Sequence, residues 1–337
     1  MLTGRKRYLH LKLFTKKAAW GILMASLALL AFLQGGCTGE APDTSAPQRQ
    51  IIERTADWQG ALLYVADQSG PNPAFGSVRI YDNVSGFVEI TVDQTMAAAP
   101  ADIYVTPDGG TMYVAGSYNG RIDKFRWDGN SWIRGGITID TPAQSITAMI
   151  QGPDEKLYFT ANDGESPGKI YQLDINVDRV EDVPLSVPQI ADLRGIAWSP
   201  DGKTVFLSGT GQDQLPRLYL ARWPSLEILS RIDLTGTLQS GQVVVSLDGG
   251  FAYVMAEGHV YIVNAVSSSV TGELAPSENI KTSYSDGVLS ADGRYLFVTG
   301  NLAGEQASLF IVDLSNNTLV KKVGHVAETA RGIQRVE

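Results

Sequence analysis

The stretch "GIAWSPDGKTVFLSG" at 195–209 consists of two short apolar runs joined by a polar turn. In the turn, Pro200 presets φ, Asp201 accepts hydrogen bonds from the backbone that follows, and Gly202 tolerates the positive φ of a tight hairpin. The flanking runs contain β-branched and aromatic residues, which favour strands. The stretch therefore predicts an antiparallel β-hairpin.

Similar turns recur along the chain at a nearly fixed interval. Successive turns lie 46, 47, 47 and 44 residues apart, with Asp at 108, 154, 201, 248 and 292. Further strand-like runs follow each turn, and no long helical pattern interrupts them. A period of this length filled with short strands is typical of β-propeller blades. We interpret the repeated aspartates as turn residues, because positions on separate blades cannot converge on a calcium or catalytic site.

The two ends of the repeat region predict how the ring closes. Residues 60–67, "GALLYVAD", align with the second strand of a blade, so the first blade lacks its inner strand, and 331–337, "RGIQRVE", supply one. We predict an all-β domain over 57–337: a six-bladed β-propeller of four-stranded antiparallel blades, closed by pairing the C-terminal strand with the N-terminal blade. The blades cover 60–95 with 331–337, 101–140, 146–187, 193–236, 241–275 and 285–324.

The repeat resembles a known group of bacterial propellers. Its segments "SPDGKTVFLSG" at 199–209 and "LYLARWPSLEILSRI" at 218–232 are similar to YVTN-type repeats and to the lactonase-like propeller family. The resemblance covers 57–337. It implies a fold rather than one activity, since propellers host hydrolases, lyases and pure binding modules.

The N-terminus has the layout of an export signal. Residues 1–36 combine a basic segment with an apolar run at 18–33, which is short for a membrane span. The sequence "LQGGC" at 33–37 resembles the lipobox of bacterial lipoproteins, which implies cleavage before Cys37 and a diacylglycerol on its thiol. The polar segment 37–56 then serves as a flexible tether. We expect an exported protein, lipid-anchored to the bacterial membrane at its periplasmic or extracellular face; the alternatives are an uncleaved anchor or a general secretory signal.

Composition excludes several classes of function. Six of the 27 basic residues lie in 1–36, which has no Asp or Glu, leaving 21 basic against 36 acidic residues in the rest. Such an acidic body opposes nucleic-acid binding. The chain has one cysteine, so an intramolecular disulfide is excluded. "NDGE" at 162–165 lacks the spacing of a calcium loop. We predict no metal and no cofactor, and we expect a monomer.

Charged residues near the start of the inner strands are the candidate site. In the aligned inner strands, Arg194 and Arg331 share one position at the mouth of the channel, and Asp102 and Asp286 share the next position. One interpretation is a ring of ion pairs in which Arg331 lies between Asp102 and Asp286. The other is an anion or carboxylate site formed by Arg194 and Arg331.

Two histidines lie on loops at the same end of the ring. His259 is a candidate ligand-binding residue. His325 with Glu328 and Arg331 is a weak candidate for a catalytic group, because it combines a general base, a carboxylate and an oxyanion stabiliser.

The sequence favours a binding or scaffold module over an enzyme. The lipid tether and the polar loop face suit a protein, peptide or glycan partner. The alternative is a lactonase-like hydrolase or lyase that acts on a small anionic substrate at the channel mouth.

Overall fold

A computed structural model describes residues 62–72, 75–82, 88–92, 99–162, 167–181, 184–237, 239–277, 281–302 and 304–336. The signal segment, Cys37 and the tether lie outside these residues. Within them, no helix is long and apolar enough to span a bilayer.

The described chain forms 25 strands in six antiparallel sheets, each of which is one blade. Blade 1 contains β1 Leu62–Asn72, β2 Phe75–Asp82 and β3 Val88–Val92; blade 2 contains β4 Pro100–Val105, β5 Thr111–Gly116, β6 Arg121–Trp127 and β7 Trp132–Asp140; blade 3 contains β8 Ser145–Gln151, β9 Leu157–Asn162, β10 Gly168–Asp174, β11 Arg179–Val180 and β12 Leu185–Val187. Blade 4 contains β13 Ile190–Trp198, β14 Thr204–Gly211, β15 Pro216–Arg222 and β16 Glu227–Asp233; blade 5 contains β17 Ser240–Val245, β18 Phe251–Ala256, β19 Val260–Asn264 and β20 Ser269–Leu274; blade 6 contains β21 Ser283–Leu289, β22 Tyr295–Asn301, β23 Ala307–Asp313 and β24 Thr318–Ala327. The last strand, β25 Ala330–Val336, returns to blade 1.

This architecture is the predicted six-bladed β-propeller. Each blade runs in strand order from the channel outwards, and each inner strand contacts the inner strands on both sides, in the order β25, β4, β8, β13, β17, β21 and back to β25. Blade 3 differs in detail, because its outermost strand is split into β11 and β12, which both pair with β10. Residues 324–327, expected in a loop, extend β24.

The hairpin turns have the predicted chemistry. In the turn that joins β13 to β14, Ser199 Oγ donates to Asp201 at 2.6 Å and the backbone nitrogen of Lys203 donates to the same oxygen at 3.1 Å. Gly202 has a φ of 68°. The turns at Asp108, Asp248 and Asp292 repeat this pattern. The repeated aspartates are therefore turn residues, as their sequence context indicates.

Six apolar clusters fill the six interfaces between neighbouring blades. Phe159, for example, packs with Tyr113 between blades 2 and 3, and Phe206 packs with Tyr261 between blades 4 and 5. Each sheet alternates its side chains between its two faces, so both faces of a blade supply apolar groups to a neighbour. The core is therefore distributed around the ring.

The ring closes by β25 pairing antiparallel with β1, as predicted. Leu62 pairs with Val336 and Val65 pairs with Ile333. Pairing removes the unpaired edge that β1 would otherwise expose.

A buried carboxylate fixes this closure from the side. Asp67 is fully buried at the bend of β1. It accepts a hydrogen bond from Arg79 Nε at 2.9 Å and from the backbone nitrogens of Glu328 and Thr329 at 3.1 and 3.0 Å. Asp67 thereby holds the segment between β24 and β25 against blade 1.

We predict that Asp67→Ala lowers the free energy of unfolding by about 3 kcal/mol, because it leaves a buried guanidinium and two backbone N–H groups without this acceptor. Chemical denaturation measures the change. The matched control is Asp140→Ala, which breaks an ion pair with Arg121 whose carboxylate is 78% exposed. That variant loses less than about 1 kcal/mol. Equal losses in the two variants would contradict the role of Asp67.

Candidate functional site

A cavity of about 200 Å³ opens at the channel mouth. All six blades contribute to its wall, and most of the side chains are polar. The lining residues are Gln68, Ala101, Ser117, Tyr118, Ser145, Ile146, Thr147, Arg194, Gln239, Ser240, Gly241, Gln242, Ala256, Glu257, Ser283, Tyr284, Ser285 and Arg331.

The mouth is built from a β-bulge in every inner strand. Each inner strand shifts register by one residue where it pairs with the second strand of its blade. A bulge re-aims the side chain of its extra residue, and bulges are common beside functional sites. The extra residue is Ala101 in β4, Thr147 in β8, Arg194 in β13 and Ser285 in β21, and it lies within 241–242 of β17 and 331–332 of β25.

The two arginines of the mouth lie on opposite blades. Arg194 belongs to blade 4, and its Nε and Nη2 both donate to Asp192 Oδ2, at 2.8 and 2.5 Å. Arg331 belongs to blade 1, and its Nε donates to Gln68 Oε1 at 2.8 Å. Within the described chain, Arg331 makes no ion pair with a carboxylate. One cation of the mouth is therefore neutralised and the other is not.

The surroundings of Arg331 affect the pKa of its guanidinium in opposite directions. Withdrawal from water lowers the pKa of its guanidinium; Tyr118 opposes this change, and the charge of Arg194 adds to it. An anion placed between the two arginines would relieve this repulsion.

The expected ring of ion pairs does not form among the described residues. Although β25 lies between β21 and β4, neither Asp286 nor Asp102 pairs with Arg331. Asp102 accepts from the backbone nitrogens of Ile103 and Met149, at 2.8 and 2.6 Å. Asp286 accepts from those of Gly287 and Ile333, at 2.7 and 2.8 Å. Both carboxylates therefore join neighbouring inner strands through backbone amides.

Burial dominates the titration of these two carboxyl groups. It raises the pKa of Asp102 to about 7, although the hydrogen bonds from Met149 and Ile103 oppose the change. Burial also raises the pKa of Asp286 well above its usual range, and the nearby charge of Asp102 raises it further. Folding therefore extends to higher pH the range in which each of the two groups keeps its proton.

Gln242 forms part of the floor of the cavity. Its Nε2 donates to the carbonyl oxygen of Thr147 at 3.0 Å and lies 3.3 Å from Asp102 Oδ2. The side chain thus reaches from blade 5 across the channel to blades 2 and 3. The sequence shows that Gln242 aligns with the charged positions of the mouth. It does not show that the side chain points across the channel.

The two candidate histidines lie outside the mouth. The ring of His259 packs edge-on against Tyr261, with centroids 4.4 Å apart. His325 Nδ1 contacts Gln306 Oε1, and Gln306 Nε2 donates to Glu328 at 2.6 Å. Arg331 instead contacts Gln68. The structure therefore does not assemble His325, Glu328 and Arg331 into one catalytic group.

The described residues contain no group of three or more His, Cys, Asp or Glu side chains placed to hold a metal ion.

No model of a known protein family matches the chain, and no curated protein matches it in sequence. Solved structures share its fold. A structure from the nidogen/laminin complex aligns with a TM-score of 0.63 at 11% identity, over 82% of this chain and 99% of that chain. A "functionally unknown protein" from Desulfotomaculum acetoxidans DSM 771 aligns with a TM-score of 0.57 at 13% identity, over 82% and 99%.

A third structure is a "putative 6-phosphogluconolactonase" from Bacteroides fragilis NCTC 9343. It aligns with a TM-score of 0.56 at 12% identity, over 85% of this chain and 100% of that chain. At these identities the likeness shows the fold alone. The chain therefore shares its fold with these structures, and the comparisons show no activity.

We predict that the free energy of unfolding falls as pH rises from about 4 to about 7. In the unfolded chain Asp102 loses its proton near the usual Asp pKa of about 3.9, whereas in the folded protein it keeps the proton up to a pKa of about 7. The loss is about 4 kcal/mol in total, and stability changes no further from this group above pH 7. Asp102→Asn stays neutral, so its free energy of unfolding has a shallower slope over this window, measured by urea denaturation at each pH.

The control is Asp201→Asn in an exposed turn, where hydrogen bonds from Ser199 and Lys203 lower the pKa of the carboxyl. That group loses its stabilising charge only below about pH 4, so the control keeps the slope between pH 4 and 7. An unchanged slope in Asp102→Asn would refute the assignment.

Proposed function

We propose that this protein is an envelope-anchored binding module whose channel mouth holds an anionic group of a protein, peptide or glycan partner. The observation that carries the proposal is Arg331, which lines the cavity without a carboxylate partner among the described residues and faces Arg194 across the ring. Two guanidinium groups in a concave polar site suit a carboxylate or a phosphate.

The size of the cavity limits what enters it. At about 30 Å³ for each molecule of liquid water, 200 Å³ is room for about seven waters. A chain end, one side chain or one small molecule fits this space. The rest of a larger partner would lie on the loops around the mouth.

The composition of the wall favours binding over turnover. A hydrolase or lyase of the lactonase-like kind would use the same arginines for a small anionic substrate, but it also needs a group that transfers protons. Among the lining residues, Glu257, Tyr118 and Tyr284 could transfer a proton, whereas neither His259 nor His325 lies there. Hydroxyl and amide groups make up most of the remaining polar wall, and such groups bind and orient a ligand.

The anchoring part of the proposal rests on the sequence. "LQGGC" at 33–37 follows a basic segment and an apolar run, and Cys37 is the one cysteine of the chain. A lipid on Cys37 would hold the propeller at the periplasmic or extracellular face of a bacterial membrane, with 38–56 as the tether.

We predict that Arg331→Ala and Arg194→Ala each weaken the binding of a simple oxyanion at the mouth by at least about tenfold, because each removes a charge-assisted hydrogen bond worth about 1.5–3 kcal/mol. Calorimetric titration with acetate and with phosphate measures the loss. The melting temperature of Arg331→Ala stays close to the wild-type value, since among the described residues the Arg331 side chain bonds Gln68 alone.

The control for both variants is Arg222→Ala, which removes an exposed arginine of blade 4 that pairs with Glu227. It keeps the wild-type affinity. A double variant that binds both anions as well as the wild type would refute the proposed site.

We predict that the N-terminal peptide of the wild-type protein from a bacterial host begins at Cys37 and carries diacylglycerol on its thiol. In Cys37→Ser both the cleavage and the lipid are lost, because the serine hydroxyl cannot accept the thioether-linked diacylglycerol. Mass spectrometry of the N-terminal peptide measures the change. A wild-type N-terminal peptide without lipid, still joined to the apolar run at 18–33, would contradict lipid anchoring and favour an uncleaved apolar segment.

A further inference from the structure

Building on the proposed function, we infer that the ligand group at the mouth is a zwitterion: its anion binds between Arg194 and Arg331, and its ammonium group binds Glu257 and Ser240.

Glu257 is held at the cavity wall by its backbone. It follows β18 and forms an isolated antiparallel bridge with Ser283 of blade 6. The next residue, Gly258, donates its backbone N–H to the carbonyl of Thr282 at 2.8 Å. The side chain of Glu257 is exposed and lines the cavity. It has no hydrogen bond or ion pair with any residue in the described part of the chain.

The hydroxyl group of Ser240 is a second polar group of the cavity wall that lacks a hydrogen-bond partner among the described residues. This residue is 4% exposed, and it pairs with Ala256, the neighbour of Glu257, at the start of blade 5. Its Oγ is buried and lacks a hydrogen-bond partner among the described residues, and the residue itself belongs to the cavity wall. A buried hydroxyl without a partner is costly, so a ligand that bonds it gains affinity.

Among the described residues, the cavity wall holds one cation and one anion that form no ion pair. Asp192 neutralises Arg194, so Arg331 and Glu257 remain. A plain anion would satisfy Arg331 and leave Glu257 uncompensated in the same small cavity. A ligand with both charges neutralises the whole wall.

The ring order separates the two ends of the ligand. Arg331 and Arg194 lie on blades 1 and 4, while Glu257 and Ser240 lie on blade 5. Between Glu257 and Arg331 lies blade 6, whose Ser283 and Ser285 also line the cavity. A short chain that joins a carboxylate to an ammonium group can therefore run along this polar arc.

The test compares matched pairs of ligands on the purified full chain by calorimetric titration. Each pair consists of an ω-amino acid and the acid without its amino group: glycine with acetate, 4-aminobutanoate with butanoate, and 6-aminohexanoate with hexanoate. In at least one of the three pairs, we expect the amino acid to bind about tenfold more tightly than its matched acid. The length that shows the largest ratio reports the spacing of the two subsites.

Two variants assign the preference to its residues. Glu257→Gln brings the ratio of the affinity for the amino acid to that for its matched acid close to one. It leaves the affinity for the acid unchanged or higher. Ser240→Ala lowers the ratio about threefold. Glu273→Gln is the matched control, because it removes an exposed carboxylate from the outer strand of the same blade, and it keeps the wild-type ratio.

The source of the zwitterion is resolved by one further ligand. N-acetyl-lysine carries the carboxylate and ammonium groups of a C-terminal lysine of a peptide. Binding at least as tight as that of 6-aminohexanoate supports a chain end as the natural ligand, and much weaker binding supports a free small molecule.

The outcomes separate this inference from the proposed function. A ratio near one in the wild type, with acid binding that still requires Arg331, overturns the zwitterion and retains the anion site. A wild-type ratio that Glu257→Gln does not change also overturns it. If neither the acids nor the amino acids bind through Arg194 and Arg331, the proposed function itself fails.

Discussion

The structure depends on how neighbouring inner strands satisfy the backbone groups that their own sheets leave unpaired. Adjacent blades belong to different sheets, so their inner strands meet without a continuous hydrogen-bond ladder, and a buried N–H or C=O left alone is costly. Side chains supply the missing partners. Asp102 accepts from Met149, Thr147 Oγ1 donates to the carbonyl of Leu193 at 2.9 Å, and Asp286 accepts from Ile333. Elsewhere round the ring, Ser208 donates to the carbonyl of Gly241, and Gln334 donates to that of Val105.

This use of polar side chains determines the charge of the mouth. The two inner-strand carboxylates accept hydrogen bonds from backbone amides, and in the described part of the chain neither pairs with an arginine of the mouth. Arg194 pairs with Asp192, and among the described residues the one hydrogen-bond partner of the Arg331 side chain is an amide oxygen. The same arrangement that joins the blades therefore leaves a cation available to a ligand.

The sequence was sufficient for the fold because a repeated turn and strand pattern reports local geometry. The spacing of about 46 residues predicted the number and bounds of the blades. The similarity of 331–337 to "RGIAWSP" at 194–200 predicted that the C-terminal strand completes blade 1. The site was predictable only in part. Arg194 and Arg331 were recognised as a pair, but the ion pairs expected with Asp102 and Asp286 were wrong. A bulge in each inner strand changes which side chain faces the channel, and strict alternation along a strand does not reveal it. The contacts of Asp67 with 328–329 and of Gln242 with Thr147 are not visible in the sequence, because the partners are distant along the chain.

Arg331 belongs to β25, the strand whose pairing with β1 completes the ring, and this placement couples two equilibria. If β25 detaches, blade 1 loses its inner strand and the mouth loses a guanidinium in the same event. By linkage, any molecule that binds Arg331 only when β25 is paired with β1 stabilises that pairing. The stabilisation grows with the logarithm of the ligand concentration once this exceeds the dissociation constant. A higher occupancy of the mouth by ligand would then mean a larger free energy of local opening for the β1–β25 pair.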